Sequence, residues 1–137
     1  MHVQAYLFFD GRCEEAVEFY RTALGADHVR LTRYKDSPDQ SMVAPGTEEK
    51  IMHGELRIGD TTVLVADGRC GGDPKFDGFS MAIRANDDAH AARCFNGLAQ
   101  GGTVQMPLTK TFFASSFGMV ADRFGVNWMV IVETPIA

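Results

Sequence analysis

The sequence is short of cysteine, of basic clusters and of long apolar runs. Its cysteines, Cys13, Cys70 and Cys94, are odd in number and lack CxxC spacing, which predicts reduced structural thiols and not a disulfide framework or zinc site. The chain has a net charge of −5 and contains no run of Lys or Arg, which argues against nucleic acid or an anionic membrane as a partner. No apolar stretch approaches the roughly 18 residues of a membrane-spanning helix.

What the sequence does contain is typical of one folded domain. Its 137 residues, 45% hydrophobic and 23% charged, suffice for a substantial core and exclude a disordered or fibrous chain. The N-terminal residues enter a strand-like run without a basic region and an apolar signal core, so we expect a cytoplasmic protein.

A stretch late in the chain repeats an earlier one. Residues 117–133 (FGMVADRFGVNWMVIVE) align without gaps on residues 51–67 (IMHGELRIGDTTVLVAD), and residues 80–98 resemble residues 6–24. A period of roughly 70 residues is too long for a solenoid, so duplication inside one domain is the better interpretation. The sequence thus predicts a single domain, residues 1–137, with module one at about 1–68 and module two at about 78–137.

The hydrophobic pattern predicts the same order of elements in both modules. Module one has predicted strands at residues 3–9, 28–34, 51–58 and 61–66, and a helix at 12–24 that Gly25 ends. Module two has predicted strands at residues 79–85, 103–108, 115–121 and 126–132, and a helix at 87–99 that Asn86 caps. We therefore predict an α+β fold of two tandem βαβββ modules, whose curved mixed sheets surround a central cleft with the helices outside.

Several segments resemble those of a known superfamily. FFDGRCEEAVEFYRTALGA near the start and DRFGVNWMVIVE near the end are similar to the vicinal oxygen chelate superfamily, the glyoxalase and bleomycin-resistance group. HGELRIGDTTVLVAD, TFFASSFG and DRFGVNW narrow the resemblance to its PhnB-like branch. The resemblance covers nearly the whole chain and implies paired βαβββ modules around a cleft, and a homodimer.

The resemblance also bears on metal binding. Metal-dependent members of the superfamily carry a His or Glu ligand on the first and last strand of each module, and the resemblance places these positions near Ala5, Val63, Phe79 and Met129. None of these side chains binds a metal, and a divalent catalytic site needs about three protein ligands. We therefore expect no metal at the usual positions and no cofactor, while a divalent metal held elsewhere stays possible.

His53 and Glu55 are the leading polar candidates for a site. They lie two residues apart on a predicted strand, so their side chains share one face within roughly 7 Å. A His and Glu so placed can share a metal or act as a base and the group that orients it. The alternative is that His53, Glu55 and Arg57 form the solvent face of a half-exposed strand.

Aromatic and thioether side chains are the candidates for an apolar binding surface, because such a surface accepts flat ligands of several shapes. The predicted members are Phe79, Met81, Phe113, Phe117 and Met129. The predicted ligand-binding residues also include the polar row His53, Glu55 and Arg57. Strand parity puts Trp128 and Val130 in the core, on the face opposite Met129. Asp122 and Arg123 are predicted to form a turn, in which Arg123 matches Arg57 of module one.

Three functions are compatible with these patterns. The leading hypothesis is a cytoplasmic, homodimeric PhnB-like protein that binds a small, partly apolar molecule in the inter-module cleft without the usual metal site. The second is a metal-dependent or acid/base enzyme of isomerase, lyase or dioxygenase type, with His53 and Glu55 as catalytic residues. The third is a resistance protein that sequesters an antibiotic.

Overall fold

The computed structural model describes residues 1–68 and 74–134, and the chain divides into two compact units, Met1–Pro74 and Lys75–Ala137. The described part of each unit contains a four-stranded mixed sheet and a helix in the order βαβββ. The predicted α+β fold of two tandem modules is therefore confirmed. Cys70 lies outside the described residues.

Module one contains a helix on one face of its sheet. Its elements are β1 (Tyr6–Phe8), α1 (Cys13–Leu24), β2 (Asp27–Arg33), β3 (Ile51–Ile58) and β4 (Thr61–Ala66). The strand order is β1-β4-β3-β2, with β1 parallel to β4 and the other neighbours antiparallel. Gly25 adopts the left-handed conformation that ends α1, as predicted.

Alternation along the strands gives the sheet of module one two different faces. Leu56, Val63 and Val65 are buried on the face that carries α1. The other face, which we call the helix-free face, carries residues of all four strands: Tyr6, Phe8, Arg30, Thr32, His53, Glu55, Arg57, Thr62 and Leu64.

Module two repeats this arrangement. Its elements are β5 (Met81–Arg84), α2 (Asp88–Ala99), β6 (Thr103–Thr109), β7 (Ala114–Ala121) and β8 (Asn127–Glu133), in the sheet order β5-β8-β7-β6. Trp128 and Val130 are buried, as parity predicts. The predicted cap Asn86 is wrong: Asp87 caps α2 by accepting a 2.7 Å bond from the His90 N–H, because the helix begins one residue later. Within the described chain, no helix is both long and apolar enough to cross a membrane.

The register of the repeat differs from the gapless alignment. Gly54 pairs with Val65 in module one and Gly118 pairs with Val130 in module two, and a Cβ on either glycine would collide with its surroundings. Gly54 therefore corresponds to Gly118. The gapless alignment fails because residues 59–60 join β3 to β4, whereas residues 122–126 join β7 to β8. Asp122 and Arg123 lie in that longer turn, as predicted, but Arg123 does not match Arg57.

A buried carboxylate at the end of β4 joins several segments of module one. Asp67 Oδ1 accepts bonds of 2.8 Å from the backbone N–H groups of Gly11 and Cys13, and its Oδ2 accepts one of 2.8 Å from Ile51. The turn after β1, the start of α1 and the start of β3 are thus held against β4. Asp122 has a comparable role in module two, where it accepts from the backbone and from Trp128 Nε1 at 2.9 Å.

We predict that Asp67→Asn lowers the free energy of unfolding by about 2–4 kcal/mol, since an amide nitrogen then faces a backbone N–H and the charge-assisted bonds are lost. The measurement is urea denaturation followed by circular dichroism. Asp60→Asn, in the exposed turn between β3 and β4, is the matched control and should change stability by less than about 0.5 kcal/mol. Equal stability of the two variants would contradict the role assigned to Asp67.

The cysteines of the described chain are buried thiols. Cys13 is inaccessible at the first position of α1, and Cys94 is buried in α2. Burial raises the pKa of the Cys13 thiol, and the charges of Asp67 and Glu14 raise it further. The neutral thiol is therefore the form that the fold accommodates.

This raised pKa predicts a loss of stability in alkali. The unfolded thiol ionises near pH 8.5 while the folded thiol stays protonated, so its contribution is complete below that pH and is lost above it, by up to about 1.4 kcal/mol per pH unit. Urea denaturation of the wild type and of Cys13→Ala between pH 7 and 10.5 measures the difference in slope. Parallel pH profiles of the two proteins would refute the assignment.

Candidate functional site

Three rings meet on the helix-free face of module one. Tyr6 Oη lies 2.7 Å from His53 Nδ1, and the two rings are edge-on with centroids 5.6 Å apart. Tyr6 stacks on Phe8 with centroids 4.7 Å apart and planes 7° apart. Tyr6 and Phe8 come from β1 and His53 from β3, on either side of β4, where the small Ala66 pairs with Phe8 and leaves space for the rings. We call Tyr6, Phe8 and His53 the ring cluster.

The ring cluster is accessible. Tyr6 is 38% exposed and Phe8 is 50% exposed, while Leu7 between them is buried on the other face. Exposed aromatic surface on a folded protein often marks a place where another molecule binds.

Tyr6 is the polar partner of His53. Partial burial raises the pKa of the Tyr6 phenol, with the Cys13 and Tyr34 groups adding to the effect, so the phenol carries its proton at neutral pH. The His53 imidazole is exposed, and its Nε2 has no hydrogen-bond partner within residues 1–68 and 74–134. The ring is thus held at one nitrogen and available at the other.

The carboxylate of Glu55 has a different partner. Arg30 Nε lies 4.0 Å from Glu55 Oε1, and Arg57 binds Asp27 through two bonds of 3.0 and 3.1 Å. The Arg57 guanidinium lowers the pKa of Asp27, mainly through these hydrogen bonds. The structure therefore orients His53 through Tyr6 and leaves Glu55 and Arg57 in ion pairs with β2.

A shallow depression lies along these ion pairs. Its volume is about 320 Å³, and it is lined by His28, Val29, Arg30, Glu55, Arg57 and Thr62. A β-bulge between Asp27 and Arg30, with His28 at a φ of 50°, lets both residues reach their partners on β3. Polar groups of both signs therefore line this part of the helix-free face.

The predicted apolar residues of module two fall into two groups. Phe113 and Phe117 pack edge-on with centroids 5.2 Å apart, and Phe117 and Met129 share the helix-free face of β7 and β8. Phe79 is 47% exposed and precedes β5. Met81 pairs with the buried Trp128, so the register places it on the side that carries α2.

Sequence reasoning missed Tyr6 and Phe8, and two of the positions that the resemblance assigned to ligands, Ala5 and Val63, have the parity of the helix side. Val63 is buried on the helix side, and Ala5 has the parity of the buried Leu7. The neighbouring residues, Tyr6 on β1 and its pairing partner Leu64 on β4, have their side chains on the helix-free face. Alternation within β1 was the available signal, because it separates Tyr6 and Phe8 from the buried Leu7.

Few side chains that bind metals stand on the helix-free faces of the first and last strands of each module. The helix-free positions of these four strands are Tyr6, Phe8, Thr62, Leu64, Ala66, Ala82, Arg84, Asn127, Met129, Ile131 and Glu133. Glu133 is the sole carboxylate in this set, and it binds Arg84 at 2.9 Å. Across the described residues, no three His, Cys, Asp or Glu side chains are close enough together to hold a metal ion.

The family model described as 3-demethylubiquinone-9 3-methyltransferase matches residues 1–131. The crystal structure of protein PA1353 from Pseudomonas aeruginosa is 38% identical, with a TM-score of 0.86 over 98% of this chain and 99% of that one.

Two more distant structures share the fold. A PhnB protein from Bacillus cereus is 23% identical with a TM-score of 0.76, over 96% of this chain and 99% of its own. A glyoxylase/bleomycin resistance protein/dioxygenase domain from Frankia sp. is 13% identical with a TM-score of 0.65, over 98% of both chains. The chain therefore belongs to the PhnB-like family that the family model describes, and it shares its fold with the glyoxalase and bleomycin-resistance group.

Proposed function

We propose that this protein binds a small, partly apolar molecule at the ring cluster of module one, without the metal site of the superfamily. The observation that carries the proposal is the exposed, stacked pair of Tyr6 and Phe8 beside an imidazole whose Nε2 is available for a ligand. A flat ligand body can pack on the rings while a polar group binds His53. The cleft between modules, the homodimer and the cytoplasmic location stay predictions.

Aromatic packing supplies the affinity in this proposal. A ligand ring stacked or edge-on against Phe8 gains about 0.5–1.5 kcal/mol beyond the burial of its surface. The polar residues of the depression along β2 and β3 lie on the same face and can contact substituents of the ligand. Binding sites of this kind combine an apolar wall with a few polar groups that fix the orientation.

The metal-free part of the proposal is supported by the helix-free side chains of the first and last strands, among which aromatic, aliphatic, hydroxyl and amide groups predominate. The test is the metal content of the purified protein, measured by inductively coupled plasma mass spectrometry. We expect far less than one divalent metal per chain. One bound metal per chain that disappears in His53→Ala would overturn this part of the proposal.

We predict that Phe8→Ala weakens the binding of single-ring aromatic compounds by about three- to tenfold, because it removes half of the stacked pair. The compounds are first found by NMR screening of a fragment library, and dissociation constants follow from titration of the 15N-labelled protein. Phe112→Ala is the matched control, since Phe112 is 88% exposed and lies in module two. A library without binders at the ring cluster, or equal losses in both variants, would contradict the proposal.

Acid–base catalysis is the second candidate, favoured by the 2.7 Å contact between the Tyr6 phenol and His53. In this version Tyr6, not Glu55, orients the imidazole. A reaction found by substrate screening, and lost in His53→Gln while binding persists, would support it. Methyl transfer, which the family description names, is among the reactions that such a screen covers. Antibiotic sequestration stays a prediction.

A further inference from the structure

We infer that Tyr6 is a positioning residue that fixes His53 as a hydrogen-bond donor at Nε2, so that the ring cluster selects planar apolar molecules carrying an acceptor oxygen. An aromatic carboxylate or an aromatic ketone has this chemistry. The inference rests on the proposed function, because it specifies which ligands the same ring cluster prefers. It assigns a specificity-determining role to a phenol that makes no ion pair and belongs to no charged motif.

The direction of the hydrogen bond between Tyr6 and His53 is inferred from the chemistry of the two groups, because the observed distance of 2.7 Å suits an O–H donor and an N–H donor alike. The phenol keeps its proton at neutral pH, and an unprotonated imidazole nitrogen is a good acceptor. Tyr6 therefore donates and His53 Nδ1 accepts.

This direction determines the chemistry of the free nitrogen. A neutral imidazole has one N–H, and when Nδ1 accepts, the proton is on Nε2. When the imidazole is protonated, both nitrogens carry protons and the Tyr6 oxygen accepts from Nδ1. His53 thus presents Nε2–H in either charge state, which makes the site a donor at every pH where Tyr6 is a phenol.

The surroundings of His53 limit where a ligand can lie. The stacked rings of Tyr6 and Phe8 flank the imidazole on the β1 side, and Thr32 is its cross-strand neighbour on β2. In the inferred arrangement the planar body of the ligand packs on Phe8, and its polar end binds the imidazole that Tyr6 contacts. The Thr32 hydroxyl, which is exposed, is a second group able to donate to the same oxygen.

The first experiment tests the tautomer without any ligand. The wild-type protein is labelled with 15N-histidine, and long-range 1H–15N spectra identify the protonated nitrogen of each imidazole. His53→Gln identifies the His53 signals among the four histidines of the chain. We expect the proton of neutral His53 on Nε2, with Nδ1 showing the shift of a hydrogen-bonded acceptor that Tyr6→Phe abolishes. A proton on Nδ1 in the wild type would overturn the inference.

The second experiment uses two probes of nearly the same shape. Benzoate presents acceptor oxygens and no donor, whereas benzamidine presents donors and no free acceptor. Both are titrated into the wild type, Tyr6→Phe and Phe8→Ala with NMR detection. Tyr6→Phe keeps the aromatic ring and the charge, so any general electrostatic preference between the probes is unchanged.

We expect the wild type to bind benzoate more tightly than benzamidine, and Tyr6→Phe to reduce that preference by about three- to tenfold, because the hydrogen bond that keeps the proton on Nε2 is lost. Phe8→Ala should weaken both probes by the same factor, because stacking does not distinguish them. Phe112→Ala should leave both affinities unchanged.

The outcomes separate the inference from the proposed function. If neither probe shifts the signals of the ring cluster, and no other aromatic compound does, the proposed function fails. If the probes bind and Phe8→Ala weakens them, but Tyr6→Phe leaves the preference for benzoate unchanged, the proposed function stands and the inference fails. A Tyr6→Phe variant whose ratio of affinities shifts toward benzoate also refutes the inference.

Discussion

The buried carboxylate of Asp67 is the interaction on which the rest of module one depends. It follows β4 and accepts hydrogen bonds from the backbone after β1, at the start of α1 and at the start of β3. β1 is a strand of three residues, too short to hold its position through its own ladder. Because Asp67 fixes the turn that follows β1, Tyr6 and Phe8 keep their register beside β4. The position of the ring cluster therefore depends on a carboxylate that is not one of its members.

Sequence reasoning was successful where the signal is local. Apolar residues at helical spacing predicted both helices, and alternation separated Trp128 from Met129 on β8. It failed where the outcome depends on how strands pair. The partner of His53 comes from β1, which is distant in the chain and adjacent only because β1 runs parallel to β4. A neighbouring carboxylate at i+2, Glu55, was the only partner that a linear pattern could suggest.

The error in the repeat has a similar physical origin. A gapless alignment assumes hairpins of equal length, but one turn has two residues and the other has five, stabilised by Asp122. The ligand positions implied by the resemblance are a separate matter, since they were not taken from the repeat. On the helix-free face of module one, an aromatic side chain, Tyr6, pairs with an aliphatic one, Leu64. The fold is thus compatible with recognition by packing and hydrogen bonding, and function has to be argued from these side chains.

Gly54 of β3 and Gly118 of β7 allow the two modules to differ widely in the side chains of their helix-free faces. At Gly54 and Gly118 a neighbouring strand or helix lies where a side chain would begin, so the backbone itself determines the register of each sheet. Substitutions on the helix-free face and insertions in the turns leave this arrangement intact. The helix-free face can therefore carry charges in one module and thioethers in the other at little structural cost. Gly54 and Gly118 are thus the positions from which the two halves of this chain are best aligned.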